Sequence, residues 1–402
     1  MEDFLHVDAW AFIFEPKEMD DAVTQAVIPA ARARAVEISD AARGPVGSFA
    51  GVYSSVTHGM LVPGGRTLTT SGLTWVGVHP GHRRRGLLTA MIDDHFRVSL
   101  EAGEPVSTLY AMETAIYGRF GYGSCAPRVK VKAGELLDLP GSDEITIRFE
   151  RADRAAHEPI VRAVHARLTR AGTIVDPAPT MLVELLDHWP SDLLQNERWI
   201  IAIAEDERGP VGYAKFRRSM DMEGSSPSPQ AKLFVANLSA ATPAASRRIV
   251  ATLRELDLIV ETKIEALALD DPVLTLTKDL RGLEATTTDG LWLRILDLPA
   301  ALQGRSYEAD ADLVLDVSDG HLPDNAGRWR LTIEDGAASV SRTSEEPDVE
   351  LTIQDLSAAY LGHDHIRRFA AAGLLHEKSP GALRALNAAF VTEQAPLANM
   401  WF

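Results

Sequence analysis

The amino-acid sequence predicts an α+β protein of three domains, spanning residues 1–140, 141–288 and 289–402. Three observations lead to this prediction. In the first range, β-rich runs are followed by a Pro-Gly turn and a helical pattern. The second range repeats much of that order of strands and helices. In the third range, short runs alternate apolar and polar residues and are followed by helical patterns.

The first domain begins with a predicted helix, in which Phe4, Val7, Ala11 and Phe14 follow helical spacing. Residues 22–38 form a second helical candidate, interrupted at Pro29. The elements predicted after it are a long strand within 44–65, a strand over 66–78, a helix over 86–101, a strand over 105–112, a short helix and turn over 113–123, and a last strand over 125–133. The order that we expect for the whole domain is β-β-β-α-β-α-β, which contains one strand more than the four located here.

In the second domain, residues 145–170 predict a strand and then a helix. A hairpin is expected around Arg208-Gly209-Pro210, and a strand, turn and helix follow in 231–257. An ordinary α/β domain unrelated to the first one also fits this pattern.

The third domain contains four predicted strands, in 311–319, 327–336, 337–343 and 348–355, and then three helices. Its tryptophan Trp329, like Trp292 at its entry, is most simply explained as a core residue.

The charge of the chain argues against nucleic acid as its main partner. The formal net charge is −17, whereas residues 1–140 hold 13 basic against 16 acidic residues. Most of the negative charge therefore lies beyond residue 140. Such an acidic body attracts cationic substrates such as polyamines more readily than anionic ones.

The single cysteine, Cys125, excludes an intramolecular disulfide and a cysteine-based zinc site, and we expect it to be a buried small residue rather than a nucleophile. The histidines, among them His58, His82 and His95, show no metal-ligand spacing. No apolar run is long enough to span a bilayer, and residues 1–25 do not resemble a signal peptide. We therefore expect a cytoplasmic protein without a metal.

The turn from strand to helix in residues 73–90 has the composition of a phosphate site. The first N–H groups of a helix have no intrahelical partner, and they lie at the positive end of the helix dipole. Arg83, Arg84 and Arg85 add three cations to this turn, and Gly86 lets an anion approach the backbone. Pro80 interrupts the strand, so carbonyls near Val76 and Val78 could face a ligand instead of a neighbouring strand.

The pattern V-x-V-x-P-x-x-R-R-R-G-L-L resembles the acetyl-CoA loop of the GNAT superfamily of N-acyltransferases. The resemblance implies that Val76, Gly77 and Val78 pair with the pantetheine of acetyl-CoA. It implies that the pyrophosphate is held by the turn and the helix start, which here comprise Arg83, Arg84, Arg85, Gly86, Leu87, Leu88 and Thr89. Leu88 departs from the superfamily pattern, which has Gly or Ala there. An arginine run by itself also fits a solvated or nucleic-acid-facing surface.

The segment Ile116–Gly123 resembles the Tyr-x-x-x-Gly-aromatic element of the same superfamily, with Tyr117, Gly121 and Tyr122 at the matching positions. By this resemblance Tyr117 is the general acid that protonates the departing thiolate. Its rivals Tyr122 and Phe120 are interpreted as packing residues.

Two residues before the predicted short helix are further cofactor candidates. Met112 and Glu113 correspond to a position that touches the cofactor in the superfamily. Their alternative roles are a strand end and a helix cap. The backbone N–H near Val78 is the expected donor to the oxyanion.

The whole layout resembles the enhanced-intracellular-survival (Eis) family: HRRRGLL, IYGRFGYG, a degenerate second copy, DGLWLRI at the entry to the third domain, and an aromatic terminus. The resemblance implies two tandem GNAT-like acyltransferase domains followed by a sterol-carrier-protein-like α/β domain. The second copy has the turn ATPAAS in place of the arginine-rich loop, so we do not expect it to bind CoA. The family resemblance also implies a homohexamer.

In that family the α-carboxylate of the last residue acts as the general base, which here is Phe402. A carboxylate near pKa 3.5 is a weak base in water, so burial must raise its pKa or it must act through water. The alternative is a frayed terminus. Some relatives have an acidic residue beside this carboxylate, whereas this chain has Trp401, which removes a charge and adds bulk.

These features predict an acetyl-CoA-dependent N-acetyltransferase whose acceptor is an amine, either an aminoglycoside-like polyamine or a protein lysine, by resemblance. One alternative is a carrier protein whose third domain holds an apolar ligand, with CoA as a regulator. Another is an acetyltransferase restricted to protein lysines.

Overall fold

The computed structural model describes residues 2–13, 26–187, 197–220 and 230–402. The chain divides into two compact units. The first unit contains Met1–Cys125, Leu291–Glu393 and Phe402, and the second contains Ala126–Gly290 and Gln394–Trp401. The predicted first and third domains thus share a unit, and the last residue belongs to a different unit from the eight residues before it.

The first part of the first unit has the predicted succession of strands and helices. Its elements are α1 (Glu2–Phe12), β1 (Arg34–Glu37), β2 (Phe49–Val62), β3 (Arg66–Val78), α2 (Leu87–Glu101), β4 (Val106–Tyr110), α3 (Thr114–Tyr117) and β5 (Gly123–Lys132), which continues into the second unit. A late strand, β12 (Thr286–Ile295), joins this sheet by pairing Leu291–Ile295 antiparallel with β4. The order in the first unit is β1-β2-β3-β4-β12.

The prediction of a second helix over residues 22–38 is wrong at the C-terminal end of this range. Arg34–Glu37 is a strand, which pairs antiparallel with β2 so that Arg34 lies opposite Tyr53. Pro29 precedes a single 3-10 turn over Ala30–Arg32, because proline has no N–H with which to continue a helix. The local helical pattern was therefore overridden by pairing with a longer strand. Residues 22–25 of this candidate, and Phe14 of the first one, lie outside the described residues.

A buried cluster joins the sheet of the first unit to α2. Met91, Ile92 and Phe96 on α2 contact Leu73 and Leu109 on the sheet. The same cluster includes Phe120, Tyr122 and Trp292, so the predictions that Phe120, Tyr122 and Trp292 are packing residues are confirmed.

The second part of the first unit has the predicted four strands and three helices, with an additional short helix before them and an additional two-residue strand between the last two helices. Its elements are α8 (Leu298–Gly304), β13 (Ala311–Ser318), β14 (Gly327–Glu334), β15 (Ala337–Arg342), β16 (Val349–Thr352), α9 (Ile353–Ala359), α10 (His365–Ala371), β17 (His376–Glu377) and α11 (Ala382–Phe390). The sheet order is β15-β14-β13-β16-β17. Trp329 is buried and donates its indole N–H to the carbonyl of Asn325, as expected of a core tryptophan.

The second unit is built around a sheet in the order β5-β11-β10-β9-β8-β6. Its elements are β6 (Thr146–Arg151), α4 (Arg154–His165), β7 (Ile174–Asp176), α5 (Pro179–Leu186), β8 (Ile200–Asp206), β9 (Gly209–Met220), β10 (Ala231–Ala240), α6 (Pro243–Arg254), β11 (Ile259–Leu267) and α7 (Pro272–Leu276). The predicted hairpin is confirmed: β8 and β9 pair antiparallel, and Gly209 has φ of 101° at the turn.

The segment Gln394–Trp401 is held on the second unit by hydrogen bonds. Ala395 donates its backbone N–H to Asp270, and Leu397 donates to the carbonyl of Ala171 at 3.0 Å. The Asn399 side chain accepts from the backbone N–H of Ile174 at 2.8 Å. The chain therefore approaches its last residue along a defined path and is not frayed there.

Within the described ranges, none of the helices is both long and apolar enough to cross a lipid bilayer.

Candidate active site

The predicted turn from strand to helix is present between β3 and α2. A 3-10 turn over Pro80–His82 follows the strand, and the ring of His79 accepts the backbone N–H of Gly81 at 3.2 Å. Arg84 has φ of 60° and Gly86 has φ of 79°. Two residues therefore adopt the left-handed backbone conformation before α2 begins at Leu87.

The start of α2 offers what an anion needs. Arg83, Arg84 and Arg85 are exposed, and no side chain caps the N-terminus of the helix at Gly86. A Cβ added to Gly86 would meet no atom within 4 Å, so the space above the first turn is open. Uncapped N–H groups, the positive end of a helix dipole and three exposed cations therefore occur within the same turn.

The equivalent helix of the second unit has a side-chain cap. Thr242 caps α6, and its hydroxyl accepts the backbone N–H of Ala245 at 3.2 Å. One of the N–H groups that a phosphate would use is therefore already bonded. This difference supports the prediction that the second copy does not bind CoA.

Strands β3 and β4 are parallel neighbours for only three residues. The last paired positions are Gly72 and Thr108. After Gly72 the two strands no longer pair, so the edge of β3 from Leu73 to Val78 has no ladder partner on that side among the described residues. This edge is available to another chain of amides, which pantetheine contains.

The cause expected for this free edge was wrong. Pro80 lies beyond the end of β3, and His79 still donates its N–H to Ala50 on the other side at 3.0 Å. The edge is free because β3 and β4 separate after Gly72. Trp75 adds to the divergence, since its φ is 55° and the register between β2 and β3 shifts near it.

Tyr117 is the last residue of α3, just after the strand that diverges from β3. Its ring lies edge-on to that of Tyr122, with centroids 5.9 Å apart. Burial and the neighbouring charge of Glu113 raise the pKa of Tyr117 to about 12. The hydroxyl therefore stays protonated at neutral pH and can donate a hydrogen bond.

Met112 and Glu113 lie between β4 and α3, and both are exposed. Glu113 occupies the N-cap position of α3 without a side-chain capping bond. Both residues are therefore accessible, and their contact with a cofactor stays a prediction.

The last residue lies against the sheet of the first unit at the point where β3 and β4 separate. The ring of Phe402 is 5.1 Å from that of His58 and 5.3 Å from that of Tyr110, measured between centroids. A Cβ added to Gly72 would come within 2.6 Å of a carbon of the Phe402 ring. Phe402 thus lies in the same unit as the predicted general acid, Tyr117.

Three buried polar groups near this place could not be assigned from the sequence. The imidazole of His95 hydrogen-bonds the hydroxyl of Ser107, which hydrogen-bonds the hydroxyl of Tyr122, each at 2.7 Å. This chain fixes the orientation of Tyr122, against which Tyr117 packs. A sequence signal for these hydrogen bonds did exist: Ser107 and His95 lie in predicted elements, and a serine or histidine needs a hydrogen-bond partner when it is buried.

Asp8 on α1 is a second carboxyl group near β3. It is buried, its Oδ1 has no hydrogen-bond partner among the residues that the structure describes, and its Cα lies 3.4 Å from a Cβ added to Gly77. Burial raises the pKa of Asp8 to about 7. Asp8 could have been found from the sequence, because it is an isolated aspartate within the apolar pattern of the first helix.

Trp401 belongs to the second unit, where it lines a cavity of about 300 Å³ with Met400, Trp199 and Phe234. The guanidinium of Arg128 lies 4.3 Å from the centroid of its ring. A cation therefore stands beside the ring of Trp401.

Cys125 is buried, and its thiol donates to the carbonyl of Leu291. Burial raises its pKa well above the usual range, so it is not a nucleophile at neutral pH. Residues of the described ranges do not form a His, Cys, Asp or Glu cluster that could hold a metal.

Comparison with known proteins agrees with this geometry. Residues 2–125 and 183–295 each match a model of the acetyltransferase (GNAT) domain, and residues 298–399 match a sterol carrier protein domain. The protein is therefore a GNAT-type N-acetyltransferase with two acetyltransferase domains and a sterol-carrier-like domain, as predicted. GNAT acetyltransferases use acetyl-CoA as the acetyl donor.

Full-length relatives refine the assignment. An uncharacterised N-acetyltransferase of Streptomyces avermitilis is 35% identical over 89% of this chain and 86% of its own length. N-acetyltransferase Eis of Mycobacterium tuberculosis is 32% identical over 89% and 87%. The crystal structure of Eis1 from Mycobacterium abscessus superposes with a TM-score of 0.84 at 28% identity, covering 100% of this chain and 97% of that one. The chain belongs to the Eis family of N-acetyltransferases.

Proposed function

We propose that this enzyme transfers the acetyl group of acetyl-CoA directly to a primary amine, with Tyr117 as general acid and the Phe402 α-carboxylate as general base. The observation that supports this most is the seat of Phe402 beside Gly72, where β3 and β4 separate. Gly72 is the last residue of β3 that pairs with β4, and the free edge of the proposed cofactor strand begins at the next residue, Leu73.

The residues of the loop fit acetyl-CoA. Arg83, Arg84 and Arg85 immediately precede an uncapped helix start, which suits a pyrophosphate. The free edge of β3, including Val76, Gly77 and Val78, suits the amides of pantetheine. Leu87, Leu88 and Thr89 form the first turn of α2 beside them. Met112 and Glu113, which follow β4, are exposed and therefore accessible to the cofactor.

Proton movements complete the reaction. The amine nitrogen forms a bond to the thioester carbonyl carbon as the carbon–sulfur bond breaks. The Phe402 carboxylate takes the proton that the amine loses, directly or through one water molecule. The backbone N–H near Val78 donates to the carbonyl oxygen as it gains negative charge.

Tyr117 donates to the departing sulfur. Its pKa of about 12 keeps the donor protonated, although full transfer to a thiolate whose conjugate acid is near pKa 8.5 is then uphill. Its principal role is therefore a hydrogen bond that stabilises the thiolate, which solvent can protonate afterwards.

The proposed acceptors are small polyamines of the aminoglycoside type and lysine side chains. The net charge of −17 favours cationic molecules, whereas the cation beside Trp401 disfavours a polycation at that position. By family resemblance we also propose a homohexamer. Membership of an N-acetyltransferase family favours the enzyme over the carrier alternative.

A thiol-release assay with acetyl-CoA tests the proposal. The amines supplied would be a polyamine, an aminoglycoside and a lysine peptide, and mass spectrometry would identify the acetylated product. We expect release above the hydrolysis blank with at least one amine. Release only with the peptide would identify a protein-lysine acetyltransferase, and release with none would refute the proposal.

A further inference from the structure

The ring of Phe402 occupies a recess in the sheet of the first unit. The recess, called here the phenyl slot, is formed by Gly72, Val56, His58 and Tyr110. The rings of His58 and Tyr110 are tilted by 39° and 57° to the Phe402 ring. Aromatic rings at such distances and angles attract one another beyond the gain from burial.

Glycine at position 72 is required by space and not by backbone conformation. Gly72 lies inside β3, in ladders with Val56 on β2 and Thr108 on β4. A Cβ there would stand 2.6 Å and 2.8 Å from two carbons of the Phe402 ring. Glycine weakens a strand, so its presence in the middle of one indicates the close approach of another group.

His58 forms one side of the slot without adding charge. It is 3% exposed, and neither ring nitrogen makes a well-formed hydrogen bond to a described residue. Burial lowers its pKa to about 4, so the imidazole is neutral at pH 7. A protonated imidazole here would add a positive charge beside Phe402, and a nearby positive charge lowers the pKa of a carboxylate and weakens it as a base.

We infer that the phenyl slot is a binding site for an aryl-carboxylate, whose natural occupant is the last residue of the chain. The slot holds the ring and thereby fixes the carboxylate. Gly72 and His58 are then positioning residues. A chain that ends at Trp401 should bind free 3-phenylpropanoate, which has the ring, the two-carbon link and the carboxylate of Phe402. The inference rests on the proposed function only for its activity readout.

A double-mutant cycle tests whether the phenyl slot acts through its fit to the Phe402 ring. Phe402→Ala keeps the terminal carboxylate and removes the ring, and Gly72→Ala fills the slot. Each should lower kcat by about 10²-fold, since a displacement of about 1 Å has such an effect, while CoA affinity stays unchanged. The double variant should be no worse than Phe402→Ala alone. Gly320→Ala is the matched control, because a Cβ there meets no atom within 4 Å.

Additive effects would overturn the inference, because Gly72→Ala would then act without the ring. If the Gly72→Ala variant does not fold, ligand binding provides a second test that does not need this variant. The chain ending at Trp401 would be titrated with 3-phenylpropanoate by calorimetry, alongside the full chain. We expect binding to the shortened chain alone.

Activity of the shortened chain separates the slot from the base. We expect 3-phenylpropanoate to restore at least about tenfold in kcat, whereas acetate and 3-phenylpropanamide, which lack the ring or the charge, restore none. Binding without restoration would support the slot and refute Phe402 as base. Absence of binding, in a protein whose full chain is active, would overturn the slot and leave the proposed function standing.

Discussion

The imidazole of His58 lies 5.1 Å from the ring of Phe402, between centroids, and is buried and neutral. A buried histidine with a lowered pKa has a consequence for stability as well as for the site. Below about pH 6.5 the unfolded chain takes up a proton at this residue, but the folded chain does not until about pH 4. Stability from this group is therefore complete above pH 6.5 and is lost as the pH falls towards 4.

We predict that the free energy of unfolding of the parent falls more steeply with acid than that of His58→Phe, which keeps an aromatic ring. The difference should be about 1.4 kcal/mol for each pH unit between 6.5 and 4.5. Urea unfolding at several pH values measures it. Comparison with a variant is needed because Asp8, whose pKa is raised to about 7, changes stability with the opposite sign in this range. Equal slopes would show that His58 titrates alike in both states.

Tyr117→Phe should lower turnover by about 10²- to 10³-fold at pH 7 and leave acetyl-CoA affinity within a few-fold, because only the donor is removed. Tyr307→Phe is the matched control. Its hydroxyl donates to the carbonyl of Leu302 in the sterol-carrier-like domain, so its loss should cost about 1 kcal/mol of stability and no turnover. Unchanged turnover in Tyr117→Phe would remove this residue from its role.

Arg84→Ala and Arg85→Ala should each weaken CoA binding by about 1.5–3 kcal/mol, or about 10- to 150-fold, because each loses a charge-assisted phosphate contact. Calorimetric titration with CoA measures the change. Arg367→Ala, an equally exposed arginine that pairs with Asp364, should bind CoA like the parent. Parental affinity in both loop variants would refute this loop as the pyrophosphate site.

Asp319→Ala should destabilise the protein by about 3–5 kcal/mol, because it leaves the buried guanidinium of Arg294 without its carboxylate. Both side chains are at most 1% exposed. Asp312→Ala removes a half-exposed partner of Arg330 and should cost about 1 kcal/mol or less. Urea unfolding compares the two, and equal losses would contradict the difference between buried and exposed pairs.

The local pattern of apolar, polar and turn residues in the sequence predicted much of the fold but fewer of the residues of the candidate site. The turn at Arg83–Gly86, the hairpin at Arg208 and the strands of the third domain follow from periodicity and turn residues. The strand Arg34–Glu37 was missed, because its conformation depends on pairing with β2.

The missed parts of the site depend on distant contacts. Gly72 and His58 face Phe402 across more than 300 residues of sequence, so no local pattern relates them. The free edge of β3 depends on where β4 diverges and not on Pro80. Asp8 is perturbed by burial that only the folded chain creates.

The central claim is that the α-carboxylate of Phe402 takes the proton of the amine. Two changes remove it from its place. Residues added after Phe402 replace the carboxylate with a neutral peptide carbonyl. Removal of Phe402 keeps a carboxylate but moves it back by about 3.5 Å, beyond hydrogen-bond reach of the amine.

The most direct measurement is the rate of amine acetylation by a protein with a short C-terminal tag, compared with one tagged at the N-terminus. Intact mass would verify that each tag is retained, and CoA titration and melting would verify the fold. We predict that the C-terminally tagged protein binds CoA and melts within a few degrees of the parent, yet loses most transfer activity. Acetylation at the parental rate by that protein would contradict the assignment of Phe402 as the base.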